Sequence, residues 1–158
     1  MGQHARQNSP ATPGPQHRAA LALRARGDYV PFVTTGNLVF LTGQLAQWNG
    51  ERRFIGKLGR EFGVAGGQQA ARLCALNLLA HLDSAVQGNL DRVRRCVKVA
   101  GFVNSVPEFT AQSQVLNGAS DLFLEVFEEA GRHARMAVGV SALPHDVAVE
   151  VEAIFEIE

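Results

Sequence analysis

The sequence predicts an α+β fold, a mixed β-sheet with helices on one face, and three observations carry that prediction. Segments of strand character and segments of helical periodicity follow one another in the order β-β-α-β-α-β-β. The helical segments are only two, too few to sheath both faces of a sheet. The strands alternate apolar and polar positions, which marks sheets with one face in a core. The second face then needs another cover, and a neighbouring subunit is the natural candidate.

Tyr29 to Thr35 and Leu38 to Gln44 are rich in β-branched and aromatic residues and flank Gly36-Asn37, so they read as two strands joined by a tight turn. Trp48 to Gly67 contains six glycines and reads as a loop with a short strand near Phe54. No GxGxxG or GxxxxGK[ST] pattern opens the next element, so the glycines form no phosphate-binding fingerprint. From Gln68 to about Val86, Ala71, Cys74, Ala75, Leu78, Leu79 and Leu82 recur at three- and four-residue spacing, the mark of an amphipathic helix.

Val93 to Asn104 follows as a long central strand with Val93, Val97, Val99 and Val103 on one face. Ser105-Val-Pro107-Glu108 has the spacing of a capping box with proline in the first turn. It predicts a second helix, broken or restarted near Asn117-Gly118 and stopped at Ala130-Gly131. Arg135 to Val140 alternates as a strand. Val147 to Ile157 alternates more regularly, with Val149, Val151, Ala153, Phe155 and Ile157 opposed to Glu150, Glu152 and Glu156.

At 158 residues the chain fits one domain, residues 28–158, behind a tail, residues 1–27. The tail holds Ser9-Pro-Ala-Thr-Pro13-Gly-Pro15 and offers little to bury, so it reads as disordered; its acid-free, arginine-containing composition also suits an organelle presequence. Four arginines precede the first acid, Asp28, which leaves 11 of the 15 basic groups to face all 15 acidic ones in the domain. A mildly acidic domain is poorly suited to a phosphate backbone, so no nucleic-acid partner is expected. Cys74 and Cys96 lack CxxC spacing and read as buried thiols rather than metal ligands or a redox pair. No run approaches the roughly 18–20 apolar residues of a membrane span, and the expectation is a cytoplasmic protein without membrane contact.

Leu143-Pro144-His145-Asp146 supplies turn-forming residues between the last two strands, which predicts a hairpin. With its loop centred on Ala142 and Leu143, Arg135 falls opposite Glu150 on one face. Such a pair is either a cross-strand ion pair on a solvated surface or an arginine and a carboxylate sharing a small ligand.

His133-Ala-Arg135, Leu143-Pro144 and Val149-Glu150-Val-Glu152-Ala-Ile154, with upstream Gly36 to Gln44 and Val99 to Asn104, resemble the YjgF family, also called Rid, the reactive intermediate deaminases. The resemblance covers about Tyr29 to Glu158. Val115 to Leu122 and Ala130 to Val140 are similar to a side branch of that family whose substrate is not established. The resemblance implies a chorismate-mutase-like fold in a homotrimer, with ligand clefts between subunits. It also implies hydrolysis of enamine and imine acids to 2-keto acids and ammonia, with no metal or organic cofactor.

In this resemblance Arg135 grips a substrate carboxylate and Glu150 positions or activates water, with the Ala137 carbonyl as a further water ligand. Tyr29, Thr42 and Asn117 match cleft positions. For Tyr29 an edge-strand aromatic, and for Asn117 a helix N-cap, are equally good accounts. Ala137 stands where deaminating members carry cysteine, and His133 where they carry proline. His133 then either touches ligand or belongs to an exposed helix-to-strand linker. Three functions follow: an imine or enamine deaminase first, a non-catalytic trimer binding small carboxylates second, and an endoribonuclease third.

Overall fold

The computed structural model describes residues 27–158, so the tail expected over residues 1–27 lies almost wholly outside the described residues. Among the described residues seven strands are present: β1 (Phe32–Thr35), β2 (Leu38–Leu45), β3 (Gln47–Trp48), β4 (Glu51–Arg52), β5 (Val93–Asn104), β6 (Ala134–Val140) and β7 (Val149–Ile157). Helix α1 (Val64–Ala85) precedes β5 and helix α2 (Gln112–Phe127) precedes β6. Five strands form one mixed sheet in the order β1-β2-β7-β5-β6, and β3 pairs with β4 as a separate ribbon.

The α+β prediction holds, with both helices on one sheet face. Val39, Leu41, Val99, Val103, Val151 and Phe155 from the sheet meet Cys74, Leu78, Leu82, Leu116, Ala119 and Phe123 from the helices in one buried cluster. Gly36, at φ 57, makes the β1–β2 turn the sequence predicts. Both cysteines are buried and free, and burial pushes the Cys96 thiol up to about 12.

Four expectations need correction. Strands β6 and β7 do not form a hairpin: β5 lies between them, parallel to β6 and antiparallel to β7. The last connection instead bends through a 3₁₀ turn at Pro144–Asp146, with His145 and Asp146 at φ 58 and 57, and delivers β7 into the gap between β2 and β5. Ser105 caps no helix, because its backbone N–H is taken by Val140 and the next N–H by Leu58; α2 starts later, at Gln112. The second helix is not broken at Gly118, where the missing side chain instead lets the Gln68 carbonyl of α1 approach. Helix α1 begins four residues before Gln68, with Gly67 fitted under Leu58 and Val115.

Asn104, fully buried at the end of β5, ties the loops together. Its amide donates to the Asp146 carboxylate at 3.0 Å and the Val147 carbonyl at 3.1 Å, and its carbonyl accepts from Lys57 Nζ. A buried polar side chain is retained only when its donors and acceptors are met, and here both ends of the amide are.

Candidate functional site

Arg135 sits on the edge strand β6. Its partner in the sheet is Val99, itself paired with Ala153, and both are core residues under the helices. In-register neighbours share a face, so Arg135 points toward α2. There Nη1 donates to Asn117 Oδ1 at 2.7 Å and to Ser120 Oγ at 3.3 Å, and Nη2 donates to the Ser113 carbonyl at 3.2 Å. Residues 113, 117 and 120 lie four and three apart, one face of the helix.

Among the described residues those three neutral acceptors are the only partners of the guanidinium, and no carboxylate pairs with it. The surface ion pair with Glu150 is therefore absent. Of the five N–H groups of an arginine, Nε–H and one on Nη2 stay unengaged, the number a carboxylate fork takes. Asn117 is no N-cap but a mid-helix residue that helps hold Arg135.

His133 is half-buried rather than part of an exposed linker. Its ring packs edge-on against Phe123 with centroids 6.1 Å apart. Nδ1 lies 2.6 Å from the Gly131 carbonyl and Nε2 2.9 Å from Ser120 Oγ. Burial lowers its pKa, the bond to Gly131 opposes that, and the nearby Arg135 charge adds to the lowering. Ala137, paired with Gly101, faces the same side as Arg135 and packs against the core.

Glu150 occupies the other face. Its neighbours along β7, Val149 and Val151, point into the helix-side core, and its partners across the sheet are Leu45 on β2 and Phe102 on β5. Its carboxylate lies against Gly43, where the β2–β7 register shifts: a Cβ there would stand 2.5 Å from Oε1. No hydrogen bond from the described residues reaches that carboxylate. Burial, and then the charge of Glu152, raise its pKa above the ordinary 4.5.

Thr42 is next to Gly43, and its hydroxyl donates to the Val30 carbonyl at 2.6 Å. It thus anchors the segment that carries Tyr29, whose ring is exposed. The sequence-predicted residues therefore separate into two groups. Arg135, Asn117, His133 and Ala137 gather between β6 and α2; Glu150, Thr42 and Tyr29 belong to the β1–β2–β7 side. Arg135 and Glu150 are two strand spacings apart, roughly 10 Å across the sheet, and on opposite faces.

Three contributors escape the sequence reading: Ser113, Ser120 and Gly43. The serines had a signal, since with Asn117 they make a polar stripe at helical spacing. Gly43 had none, because its closeness to Glu150 depends on strand pairing. Among the described residues no three His, Cys, Asp or Glu side chains are grouped to hold a metal, and no helix is long and apolar enough to cross a membrane.

Comparison with known proteins places these features in context. The family described as "YjgF/chorismate mutase-like, putative endoribonuclease" matches residues 16–156. Protein TCP17 of Trypanosoma cruzi is 50% identical over 131 residues, 82% of this chain and 81% of that protein. The crystal structure of Atu1372 from Agrobacterium tumefaciens, of unknown function, is 49% identical with a TM-score of 0.81, covering 83% of each chain. That of TdcF from E. coli with bound serine is 26% identical with a TM-score of 0.62, covering 88% of this chain and 95% of that one.

Proposed function

The chain belongs to the YjgF/chorismate mutase-like family, and from that premise we propose that it hydrolyses 2-imino or enamine acids to 2-keto acids and ammonia, in clefts between the subunits of a homotrimer. The observation that carries this reading is the state of Arg135: oriented by three neutral acceptors, without an acidic partner among the described residues, and with two N–H groups left for a carboxylate. Bidentate pairing with a carboxylate suits guanidinium geometry. The serine in TdcF, another member of this fold at 26% identity, is a small amino acid with such a carboxylate.

Hydrolysis of an iminium acid needs one water: its oxygen bonds to the C=N carbon, the C–N bond breaks, and both water protons leave on the nitrogen as ammonium. Arg135 holds the carboxylate beside that carbon. Glu150, half-buried and without a hydrogen-bond partner among the described residues, is the base that takes a proton from the water and returns one to the departing nitrogen. Since Arg135 and Glu150 lie on opposite faces of one chain's sheet, the Arg135 side of one copy meets the Glu150 side of the next. Ribonuclease action is disfavoured by the excess of acidic groups in residues 28–158.

The test adds the protein to a threonine dehydratase reaction in which semicarbazide traps the released imine. Keto acid forms faster with the protein present. Arg135→Ala lowers kcat/KM by roughly tenfold or more, the scale of losing a charge-assisted hydrogen bond. No acceleration, or an Arg135→Ala variant as active as the parent, defeats the hydrolase. Saturable binding of 2-ketobutyrate without turnover supports the non-catalytic carboxylate binder instead.

A further inference from the structure

Behind the Ser120 contact to Arg135 lies a histidine that the proposed chemistry does not use. The Gly131 carbonyl can only accept, so the proton of the neutral His133 ring sits on Nδ1 and donates to it at 2.6 Å. Nε2 is then an acceptor, and the Ser120 hydroxyl 2.9 Å away donates to it. With its hydrogen directed at His133, Ser120 Oγ turns its lone pairs toward Arg135 Nη1, 3.3 Å away. The direction of every bond in the chain follows from the first.

Ser120 and His133 also have the spacing of a nucleophile and its base. Ser120, however, is only 8% exposed and already accepts from Arg135, so it offers no open oxygen to a substrate. The pair instead acts on the guanidinium. Asn117 holds Nη1 and the Ser113 carbonyl holds Nη2; Ser120 adds a third contact, engaging the second N–H of Nη1 and narrowing the rotation of the guanidinium plane.

We infer that Ser120 and His133 are positioning residues for Arg135: through Ser120, the His133 imidazole fixes the guanidinium so that its two unengaged N–H groups meet a carboxylate together. This rests on the carboxylate-clamp reading of Arg135, and it gives His133 a role at a position where the family resemblance expects proline.

Calorimetric titration of the full chain with 2-ketobutyrate at pH 7.5 tests it without requiring turnover. Ser120→Ala and His133→Phe, which keeps a ring against Phe123 but has no acceptor, each weaken binding about fivefold to tenfold, the scale of one hydrogen bond. His133→Gln, whose amide carbonyl can accept from Ser120, recovers most of the affinity. The Ser120→Ala/His133→Phe double variant is no weaker than Ser120→Ala alone, because both changes cut one chain. In the dehydratase assay the variants raise KM and leave kcat within about twofold, as expected when the fault lies in ligand grip.

Lower melting temperatures with parental affinity make the pair structural and overturn the inference. So do additive effects in the double variant. If the parent binds 2-ketobutyrate but releases no keto acid from the trapped imine, the hydrolase falls and the positioning chain stands. If the parent binds no keto acid at all, the clamp fails and the inference with it.

Discussion

Glu150 is a carboxylate set half in the protein without one hydrogen bond from the described residues, and its behaviour with pH follows from that. Burial disfavours the charged form, so the folded chain holds the Glu150 proton more tightly than the unfolded chain does. Between the ordinary 4.5 and the raised folded value the native state binds more protons, and stability therefore falls as pH rises through that interval. Glu150→Gln, which keeps the shape and carries no charge, is expected to melt at a higher temperature than the parent at pH 8. The gap should close below pH 4.5, where both states of the parent are protonated. Equal melting at pH 8 would show that the ionised carboxylate is not penalised. At this scale the sequence named an arginine, an amide and a carboxylate, and the structure brings the first two together while Glu150 lies on the other face of the sheet. The sequence did not reveal their partners. Ser120 and Gly43 matter through hydrogen bonding and close approach, which a residue's own identity does not encode.

At the scale of elements, Gly118 shows how a correct local rule gives a wrong boundary. Glycine is a weak helix former, and Asn117-Gly118 reads as a break. Yet α2 runs through both, because Gly118 is where the α1 backbone at Gln68 comes closest and a Cβ would collide with its carbonyl. Backbone cannot be rearranged as a side chain can. Gly118→Ala should therefore destabilise the fold by about 1–3 kcal/mol, the usual range for overpacking, although alanine has the better helix propensity. Urea unfolding checks it; a variant as stable as the parent would mean that the helices separate freely. The hairpin error has a different cause. Alternation identified β6 and β7 as strands and fixed which side chains share a face within each, but it carries no information about which strand lies alongside. Two strands joined by a helix can pair in parallel, as β5 and β6 do, and the eight residues after Val140 are long enough to carry the chain across β5.

At the scale of the molecule, among the described residues, the sheet has one face under helices and one without. The helix-free face carries Val33, Phe40, Ile154, Phe102 and Met136 among the charged Lys98, Glu150 and Glu152, with Val33 53%, Phe40 41% and Met136 42% exposed. Large apolar side chains exposed in that way are expected to meet another surface. A ring of three copies with head-to-tail interfaces brings different parts of neighbouring chains together at each joint. In the proposed trimer that geometry would account for the separation of Arg135 from Glu150, each cleft taking its arginine from one copy and its carboxylate from the next. The consequence can be measured by complementation. Arg135→Ala and Glu150→Gln, each expected to keep about a tenth of the parental activity or less, are unfolded together in equal amounts and refolded. A cleft between a Glu150→Gln copy, which still has its arginine, and an Arg135→Ala copy, which still has its carboxylate, is complete. Random mixing makes about a quarter of the clefts complete in such a ring, so roughly a quarter of the parental activity should return. Refolding either variant alone should return no more than its own residual activity. If the mixture stays as inactive as its components, the two residues do not meet across a subunit boundary, and the shared cleft must be abandoned.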